Sequence, residues 1–313
     1  MHDWTLILTP LIVLLLVFQL GGLCEPFSAA ASPTDPPSQD YPTTVAGISG
    51  LVAFWRLAET SGATAADNQG KDASHPAGAN PGGYVPAPPN PPKPLNYNGG
   101  DKSAAAPGTF NQGGQSLSSN GGGPAVSFNG GYVEVPFSAV INPPKTPGFS
   151  VVAGVSPGWD PDPAHPANRV VVESGQMLGA ASPVGFTLQS NAQDHWEFVI
   201  GNGAANGVTL GGPAVTIKNA TNFLVATYDG ATGTMSLYVD GNDPATTIAT
   251  PGYLPNGKFP LRIAMGAGRV SGAAAAPAVE FPFNGRISGV AIYNRPLTSD
   301  EAKTLAHAFL TSA

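Results

Sequence analysis

The sequence predicts an all-β fold, a two-sheet antiparallel sandwich of jelly-roll type with a short C-terminal helix. The chain of 313 residues contains 40 glycines and 33 prolines, about twice the usual share, so turns are frequent and long helices have little room. Short runs of alternating apolar and polar residues recur at intervals of roughly 8 to 15 residues. Hydrophobic residues make up 42% of the chain, which is enough to fill a core between two sheets.

The predicted strands are short runs bounded by turn residues. In the first run, Leu51, Ala53, Trp55 and Leu57 share one face while Arg56 points to the other, as expected for a sheet with one buried side. The same pattern recurs along the chain in Val126–Phe128, Tyr132–Val135, Phe149–Val155, Arg169–Glu173, Phe186–Gln189, Trp196–Ile200, Phe223–Tyr228, Thr234–Val239, Leu261–Met265 and Gly285–Tyr293.

Two local signals complete the prediction of secondary structure. Asp240 and Gly241 follow a strand pattern and tolerate positive φ, so they predict a hairpin turn. Thr298 and Glu301 have the spacing of a capping box at a helix N-terminus. The residues that follow place one apolar stripe on the helix, formed by Ala302, Leu305, Ala306 and Phe309.

The charge balance excludes one class of partner. Thirteen Lys and Arg residues stand against 20 Asp and Glu residues, which gives a formal net charge of −7. No basic run occurs anywhere in the sequence. Because duplex nucleic acid is bound through such basic patches, we expect no nucleic-acid partner.

Residues 1–31 predict a signal peptide or a membrane anchor. From Trp4 to Leu23 there is no charged residue, a length that fits either interpretation. The small residues 28–31 favour cleavage, whereas His2 and Asp3 stand where basic residues are expected. In both cases this leader contacts a membrane and the protein is exported, to be secreted or held at the cell surface. Cleavage would remove Cys24, the only cysteine, so no disulfide is expected.

The rest of the chain predicts one domain with an insertion. Residues 32–44 are rich in proline and lack apolar periodicity, so we interpret them as an extended linker. Residues 45–313 then form a single domain. Within it, the stretch of about 74–124 is rich in Pro and Gly and poor in β-branched residues, which predicts long surface loops inserted between strands.

Four ordered segments resemble the bacterial laminin-G-like jelly-roll domains of the concanavalin A-like lectin and glucanase superfamily. The segments are 51–67 (beginning Leu-Val-Ala-Phe-Trp-Arg-Leu), 125–151 (containing Asn-Gly-Gly-Tyr-Val-Glu-Val-Pro), 225–241 (ending Leu-Tyr-Val-Asp-Gly) and 283–297 with its helix. The resemblance implies two curved antiparallel sheets and a module that is usually non-catalytic and associated with glycan or protein binding.

We therefore expect a non-catalytic extracellular module that binds carbohydrate weakly through its loops and concave sheet. Trp159 lies in a polar loop and is the candidate stacking platform, with Tyr84 as a weaker one. His195 and Glu197 would line the concave sheet if Trp196 points inward. The alternative is a structural or adhesion protein whose partners are surface proteins or copies of itself.

A glycan-cleaving enzyme is the second alternative. Glycosidases need two carboxylates that flank the scissile bond, but the strand that carries Glu197 has no second acid on the same face. The five histidines are scattered, and no Gly-x-Ser-x-Gly motif accompanies them. We therefore interpret Glu197 as a solvated strand carboxylate.

Calcium is the one cofactor that the resemblance implies. Related domains often bind one ion with carboxylate and backbone oxygens. Glu59 occupies a commonly acidic position, and Asp67 could contribute, although Asp67 also fits a simple Asx turn. The acid usual in the last strand is missing, because Ser288 and Gly289 stand there.

Overall fold

Two large antiparallel sheets and two helices make up most of the part of the chain that the structure describes. The structure is a computed structural model. It describes residues 40–59, 61–68, 79–86, 109–118, 121–161, 167–176, 182–204, 207–215, 218–250, 252–267 and 279–312. The predicted leader, residues 1–31, lies outside the described residues. No helix within these ranges is long and apolar enough to cross a membrane.

The first sheet has eight strands. The strands are β1 (Leu51–Trp55), β4 (Thr109–Ser118), β5 (Gly121–Asn129), β7 (Gly148–Pro157), β12 (Asn222–Asp229), β13 (Thr234–Val239), β14 (Ala245–Ile248) and β18 (Gly285–Tyr293). Their order in the sheet is β14-β13-β12-β7-β18-β5-β4, and β1 pairs with the second half of β18.

The second sheet also has eight strands, in the order β11-β10-β9-β8-β15-β6-β3-β2. They are β2 (Thr64–Ala65), β3 (Gly82–Val85), β6 (Tyr132–Val135), β8 (Arg169–Gln176), β9 (Val184–Ser190), β10 (His195–Ile200), β11 (Val208–Ala214) and β15 (Leu261–Ile263). A separate two-stranded sheet joins β16 (Gly266–Ala267) to β17 (Val279–Glu280).

The main core lies between the two large sheets. Side chains alternate along each strand, so every second residue enters the core. Phe149 of the first sheet, for example, packs against Phe186 and Phe198 of the second, with ring centroids 5.0 and 6.1 Å apart. The predicted β-sandwich of jelly-roll type is thereby confirmed, together with each of the alternating runs that predicted strands.

A second apolar layer covers the outer face of the first sheet. Helix α1 (Tyr41–Gly47) and helix α2 (Ser299–Thr311) both pack there, against residues such as Phe54 and Phe223. The predicted capping box is present, since Thr298 accepts a hydrogen bond from the Glu301 amide and Glu301 accepts one from the Thr298 amide. All four residues of the predicted apolar stripe on α2 are buried.

The interpretation of residues 32–44 as a linker is wrong at its C-terminal end. Residues 41–44 form the first turn of α1, where Tyr41 and Thr44 are buried. Pro42 is compatible with this helix because it stands in the first turn, where its missing N–H has no intrahelical partner in any case. Helix α1 accordingly belongs to the same compact unit as the sandwich.

The interpretation of residues 74–124 as loops is also wrong in part. Strands β3, β4 and the beginning of β5 fall inside this stretch. β4 is the last strand of its sheet, and such edge positions tolerate Gly-rich and Pro-rich sequences better than central ones. The proline-dense residues 87–100 lie outside the described residues.

Candidate functional site

One broad face of the sandwich is not covered by the helices. It is the face of the second sheet that points away from the first sheet, and we call it the open face. Trp196 and Phe198 of β10 are fully buried in the core, which confirms the inward direction predicted for them. The residues between them therefore point outward. Polar side chains of the open face are Glu134, Glu173, Thr187, Gln189, Glu197 and Arg262.

A row of hydrogen-bonded polar and charged side chains crosses the middle of the open face. Thr187, Glu173, Arg262 and Glu134 are successive cross-strand partners on β9, β8, β15 and β6. The Thr187 hydroxyl donates to Glu173 over 3.0 Å, and Arg262 Nε donates to Glu134 over 3.0 Å. The Ala267 amide of β16 also donates to Glu173, over 2.9 Å, so this short strand covers the centre of the face.

The electrostatics of the row extend to Tyr132, which precedes Glu134 by two residues on β6. Burial raises the pKa of the Tyr132 hydroxyl, and the negative charge of Glu134 raises it further. The Arg262 guanidinium acts in the opposite direction, because a nearby cation favours the ionised phenol. At this end of the face, Glu134 and Arg262 are therefore paired with each other, and both act on the ionisation of Tyr132.

Glu197 lies on the other part of the open face, where β9 and β10 pair. Gln189 stands opposite it, and its Nε2 donates to Glu197 Oε2 over 2.7 Å. Asn191 Nδ2 donates to Glu197 Oε1 over 3.2 Å. The carboxylate is half-buried and held from two sides. Each of its oxygens has a second lone pair, so Glu197 can still accept hydrogen bonds from a ligand.

His195 is exposed beside Glu197, on the tight turn that joins β9 to β10. The Asn191 side-chain oxygen accepts from the amides of both Gln193 and His195, over 2.9 and 3.1 Å. Asp194 adopts a left-handed conformation with φ of 56°, which Asp tolerates better than most residues. The turn therefore presents the His195 ring in a fixed position.

Trp159 does not form an exposed platform, and that prediction is wrong. Its side chain is 6% exposed and stands edge-on to Phe283, with ring centroids 5.2 Å apart. Its Nε1 donates to Asp194 Oδ1 over 2.9 Å. Trp159 is buried because the loop that carries it packs against the β9–β10 turn. The prediction of exposure relied on the polar residues next to Trp159 in the sequence, which do not show this contact.

Arg169 completes the support of this turn. Its Nη1 donates to the same Asp194 oxygen over 2.9 Å, and its guanidinium lies 4.3 Å from the centre of the Trp159 ring. A cation over an indole face is attracted by the ring quadrupole. Trp159, Arg169 and Asp194 thus hold the turn that carries His195 and borders Glu197.

Tyr84 and Glu59 meet at the far edge of the second sheet, well apart in the strand order from β10. Tyr84 is on β3 and 6% exposed, so the prediction of a surface platform is wrong for it as well. Its hydroxyl donates to Glu59 Oε2 over 2.9 Å, while the Ala66 amide donates to Glu59 Oε1 over 2.8 Å. These contacts close the β2–β3 edge of the sandwich.

Asp67 is 3% exposed, so it is not the surface residue that a simple Asx turn would make it. Its Oδ1 accepts from the Phe54 amide over 3.0 Å. Its Oδ2 accepts from both the backbone and side-chain nitrogens of Asn80, over 3.1 and 3.2 Å. The buried carboxylate links β1 to the segment that leads into β3.

The donor set around Glu59 and Asp67 does not fit a calcium ion. Calcium requires oxygen ligands that converge on one point, whereas both carboxylates face N–H and O–H donors of the protein. Within the described ranges, no three His, Cys, Asp or Glu side chains come together in a way that could hold a metal ion. Calcium therefore stays a prediction from the family resemblance alone.

Next to Ser288 in the last strand, the position of Gly289 has no room for a side chain. Gly289 has φ of 60°, and a Cβ at this position would lie 2.4 Å from the Tyr41 ring. The Tyr41 hydroxyl donates to the Gly289 carbonyl over 2.7 Å. Helix α1 thus occupies the space that a side chain at residue 289 would need.

Gln189 and Asn191 belong to the site but were not predicted from the sequence. A signal for Gln189 was present, because it ends an alternating run and points away from the core. Nothing in the run itself showed that it would stand opposite Glu197, since that depends on the register of the β9–β10 hairpin. Asn191 acts through the turn conformation, which the Ser-Asn-Ala-Gln-Asp sequence does not define.

Comparisons with known proteins agree with this architecture. Residues 127–303 match a laminin-G family model described as the concanavalin A-like lectin/glucanases superfamily. The comparison with curated proteins gave no match.

Among solved structures, a Trypanosoma rangeli sialidase in complex with a difluorinated nononic acid is 18% identical, with a TM-score of 0.47. The match covers 83% of this chain and 32% of the sialidase, so the chain spans about a third of that enzyme's length. The CBM40 of a Ruminococcus gnavus IT-sialidase, bound to α2,3-sialyllactose, is 18% identical with a TM-score of 0.40, over 51% of this chain and 82% of that one.

The binding domain of botulinum neurotoxin DC in complex with SialylT is 12% identical with a TM-score of 0.41, over 57% of this chain and 40% of that one. At these identities the similarities concern the fold alone. The family match is of a different kind, because it runs from β5 into α2 and takes in more than half of the sequence. On that match, and on the sandwich that the same residues build, the chain belongs to the concanavalin A-like lectin/glucanases superfamily.

Proposed function

We propose that the protein is a non-catalytic recognition module that binds an extracellular glycan through the open face at Glu197. The observation that carries this proposal is the arrangement of Glu197 itself. Its carboxylate is oriented by Gln189 and Asn191, retains free lone pairs, and stands beside the exposed ring of His195. Sugar hydroxyls are hydrogen-bond donors, and acceptors that are already oriented bind them at a lower entropic cost.

The predicted leader supports an extracellular place of action. If residues 1–31 direct export, the module is secreted or held at the cell surface and meets glycans there. Weak binding is expected, because the Glu197 part of the open face presents one small ring, His195, for stacking against a sugar.

The position of the other carboxylates supports a non-catalytic role. Glu134 and Glu173 lie on the same row, two strands apart, which places their backbones about 10 Å from each other. Glu173 is 1% exposed beneath β16, and Arg262 stands between the two acids. A glycosidic bond cannot be flanked by a carboxylate that is buried in this way.

A groove elsewhere on the molecule favours adhesion to a protein as a second candidate function. It has a volume of about 440 Å³ and shares no residue with the open face. Val140, which lines the groove, and nearby Phe137 are each 40% exposed. Exposed apolar side chains beside a groove are typical of protein contacts. The lining residues are Val52, Ala139, Val140, Pro144, Pro147, Asn294 and Arg295.

The test of glycan binding is retention of the full-length protein on a glycan array. Glu197→Ala should reduce retention at least about tenfold, because a hydrogen bond to a charged group contributes roughly 1.5–3 kcal/mol. Asp243→Ala is the matched control, since it removes an exposed carboxylate near α2, away from the open face. Thermal unfolding of each variant checks that the fold is kept. Absence of retention on every glycan, or unchanged retention of Glu197→Ala, would exclude the proposed function.

A further inference from the structure

Glu197 and the exposed His195 ring both offer hydrogen-bond acceptors at this part of the open face. The side-chain donors of Gln189 and Asn191 are both directed at the Glu197 carboxylate. His195 Nδ1 lies 3.0 Å from the Gln193 carbonyl. That carbonyl can only accept, so Nδ1 carries the hydrogen and Nε2 of the neutral ring is left as an acceptor.

Gln189 is a positioning residue for Glu197. Its side chain is 1% exposed, and its Oε1 has no hydrogen-bond partner among the described residues. The orientation of the amide is fixed by Nε2, because the opposite assignment would place Oε1 against a carboxylate oxygen. The Oε1 atom is itself buried, so Gln189 orients the Glu197 carboxylate and is not the group that a ligand reaches.

The positive charges of the same sheet are not directed to a ligand. The strands of the second sheet contain two arginines and no lysine. The Arg262 side chain is 5% exposed and paired with Glu134, while that of Arg169 is 12% exposed and paired with Asp194. Among the described residues of this sheet, no unpaired guanidinium is therefore available to bind the negative charge of an anionic sugar, which would also be repelled by the Glu197 carboxylate.

We propose that the open face selects glycans that carry no anionic group, and that a free amino group on the sugar strengthens binding at Glu197. This inference rests on the proposed function and adds its ligand class. Neutral sugars donate hydroxyl hydrogens to Glu197 and His195 Nε2. An ammonium group adds a charge-assisted hydrogen bond to the Glu197 carboxylate.

Matched pairs of glycans on one array test the inference with the full-length protein. Lactose is compared with 3′-sialyllactose, which adds one carboxylate-bearing sugar. N-acetylated chitotetraose is compared with its fully deacetylated form, which replaces each amide by an amine. All other neutral glycans on the array are compared with their sialylated counterparts. We expect sialylation to abolish retention and deacetylation to raise it about three- to fivefold at low salt, in line with a partly exposed charge pair.

Glu197→Gln separates the charge of this residue from its hydrogen bonds. The variant keeps one acceptor oxygen and replaces the other by an amide nitrogen, so retention of neutral glycans should fall, and the ratio between each glycan and its deacetylated form is what is compared. The advantage of the deacetylated glycan should disappear. Asp243→Asn changes the net charge equally and should keep that advantage.

Two results would overturn the inference while leaving glycan binding intact. One is retention of sialylated glycans as strong as that of their neutral counterparts. The other is an amino-sugar advantage that persists in Glu197→Gln. A third result, no retention of any glycan by the unmodified protein, would reject the proposed function itself and the inference with it.

Discussion

Asp194 is the residue on which the local structure of the proposed site depends most. It adopts positive φ in the β9–β10 turn, and its carboxylate accepts hydrogen bonds from both Trp159 and Arg169. The side chains of Asp194 and Arg169 are nearly buried. Removing Trp159 or Arg169 would therefore leave the Asp194 carboxylate with one hydrogen-bond donor fewer in a place that water reaches poorly. These residues position the turn and have no direct contact with a ligand in the proposed site.

Substitution of Trp159 should destabilise the protein. Trp159→Ala removes a buried ring and its hydrogen bond, which we expect to lower the free energy of unfolding by about 3–5 kcal/mol. Trp159→Phe keeps much of the packing and loses the N–H donor, at a cost nearer 1–3 kcal/mol. Urea unfolding of both variants measures the difference. An unchanged midpoint for Trp159→Ala would mean that the ring is a surface group.

The pairing of Arg295 with Glu301 predicts a pH dependence of stability. Two hydrogen bonds of 2.5 and 2.8 Å join the guanidinium to the carboxylate. They lower the pKa of Glu301 to about 2, from an ordinary value of about 4.3 in the unfolded chain. The pKa is lower in the folded state, so the stabilisation is complete above pH 4.3 and is lost as the pH falls towards 2.

Thermal unfolding between pH 6 and pH 2 measures this dependence. Glu301→Gln should show a smaller fall in melting temperature over the acid range than the unmodified protein does. Asp300→Asn changes the neighbouring acid of the same helical turn and serves as the control. Equal acid sensitivity in Glu301→Gln and the unmodified protein would contradict the assignment.

At the level of single residues, the sequence predicted the direction of side chains on the predicted strands better than it predicted the burial of residues in the predicted loops. Trp196 and Glu197 point as expected, because alternation along a strand is imposed by the backbone. Trp159 and Tyr84 do not, because their burial depends on which distant segment lies over them. Sequence neighbours carry no information about such contacts.

Among the elements, the strands at the edges of the sheets were the hardest to predict. β2 and β11 end the second sheet, and β4 and β14 end the first. An edge strand has one pairing partner and a smaller buried area, so its sequence is less constrained to alternate. β11 contains two glycines and a proline. Central strands such as β7 and β12 coincide with runs that predicted them, whereas β3, which pairs on both sides, was missed.

Helix α1 was missed because its stabilisation comes from tertiary packing. It has seven residues and no side-chain cap, and a helix that short is not stable alone. The Tyr41 ring packs edge-on against Phe54, Phe223 and Phe309, with centroid distances of 5.9, 5.6 and 4.9 Å. The helix therefore forms on the surface that the first sheet and α2 provide.

Tyr41 should contribute strongly to the stability of this layer. We expect Tyr41→Ala to lower the free energy of unfolding by about 3 kcal/mol or more, through loss of the buried ring. Tyr41→Phe should cost only about 1 kcal/mol, since it removes the hydrogen bond to Gly289 and keeps the ring contacts. Chemical unfolding of the two variants compares these values. Equal stability of Tyr41→Ala and the unmodified protein would show that α1 does not pack as described.

Across the whole molecule, the two outer faces of the sandwich differ in what covers them. Helices α1 and α2 bury the outer face of the first sheet in an apolar layer. The outer face of the second sheet carries polar side chains, of which Glu134 and Glu197 are partly exposed while those nearer the small β16–β17 sheet are buried. The sandwich and its helix were predictable because alternation and the capping box are local signals. The location of the open face was not, because it depends on which sheet the helices cover.

Amide hydrogen exchange of the full-length protein, with and without a glycan that the array retains, tests the central claim most directly. The account predicts slower exchange on glycan binding in β9, β10 and the turn between them, with β12, β13 and α2 unchanged. Protection restricted to the first sheet or its helices would contradict the claim that the open face at Glu197 binds the ligand.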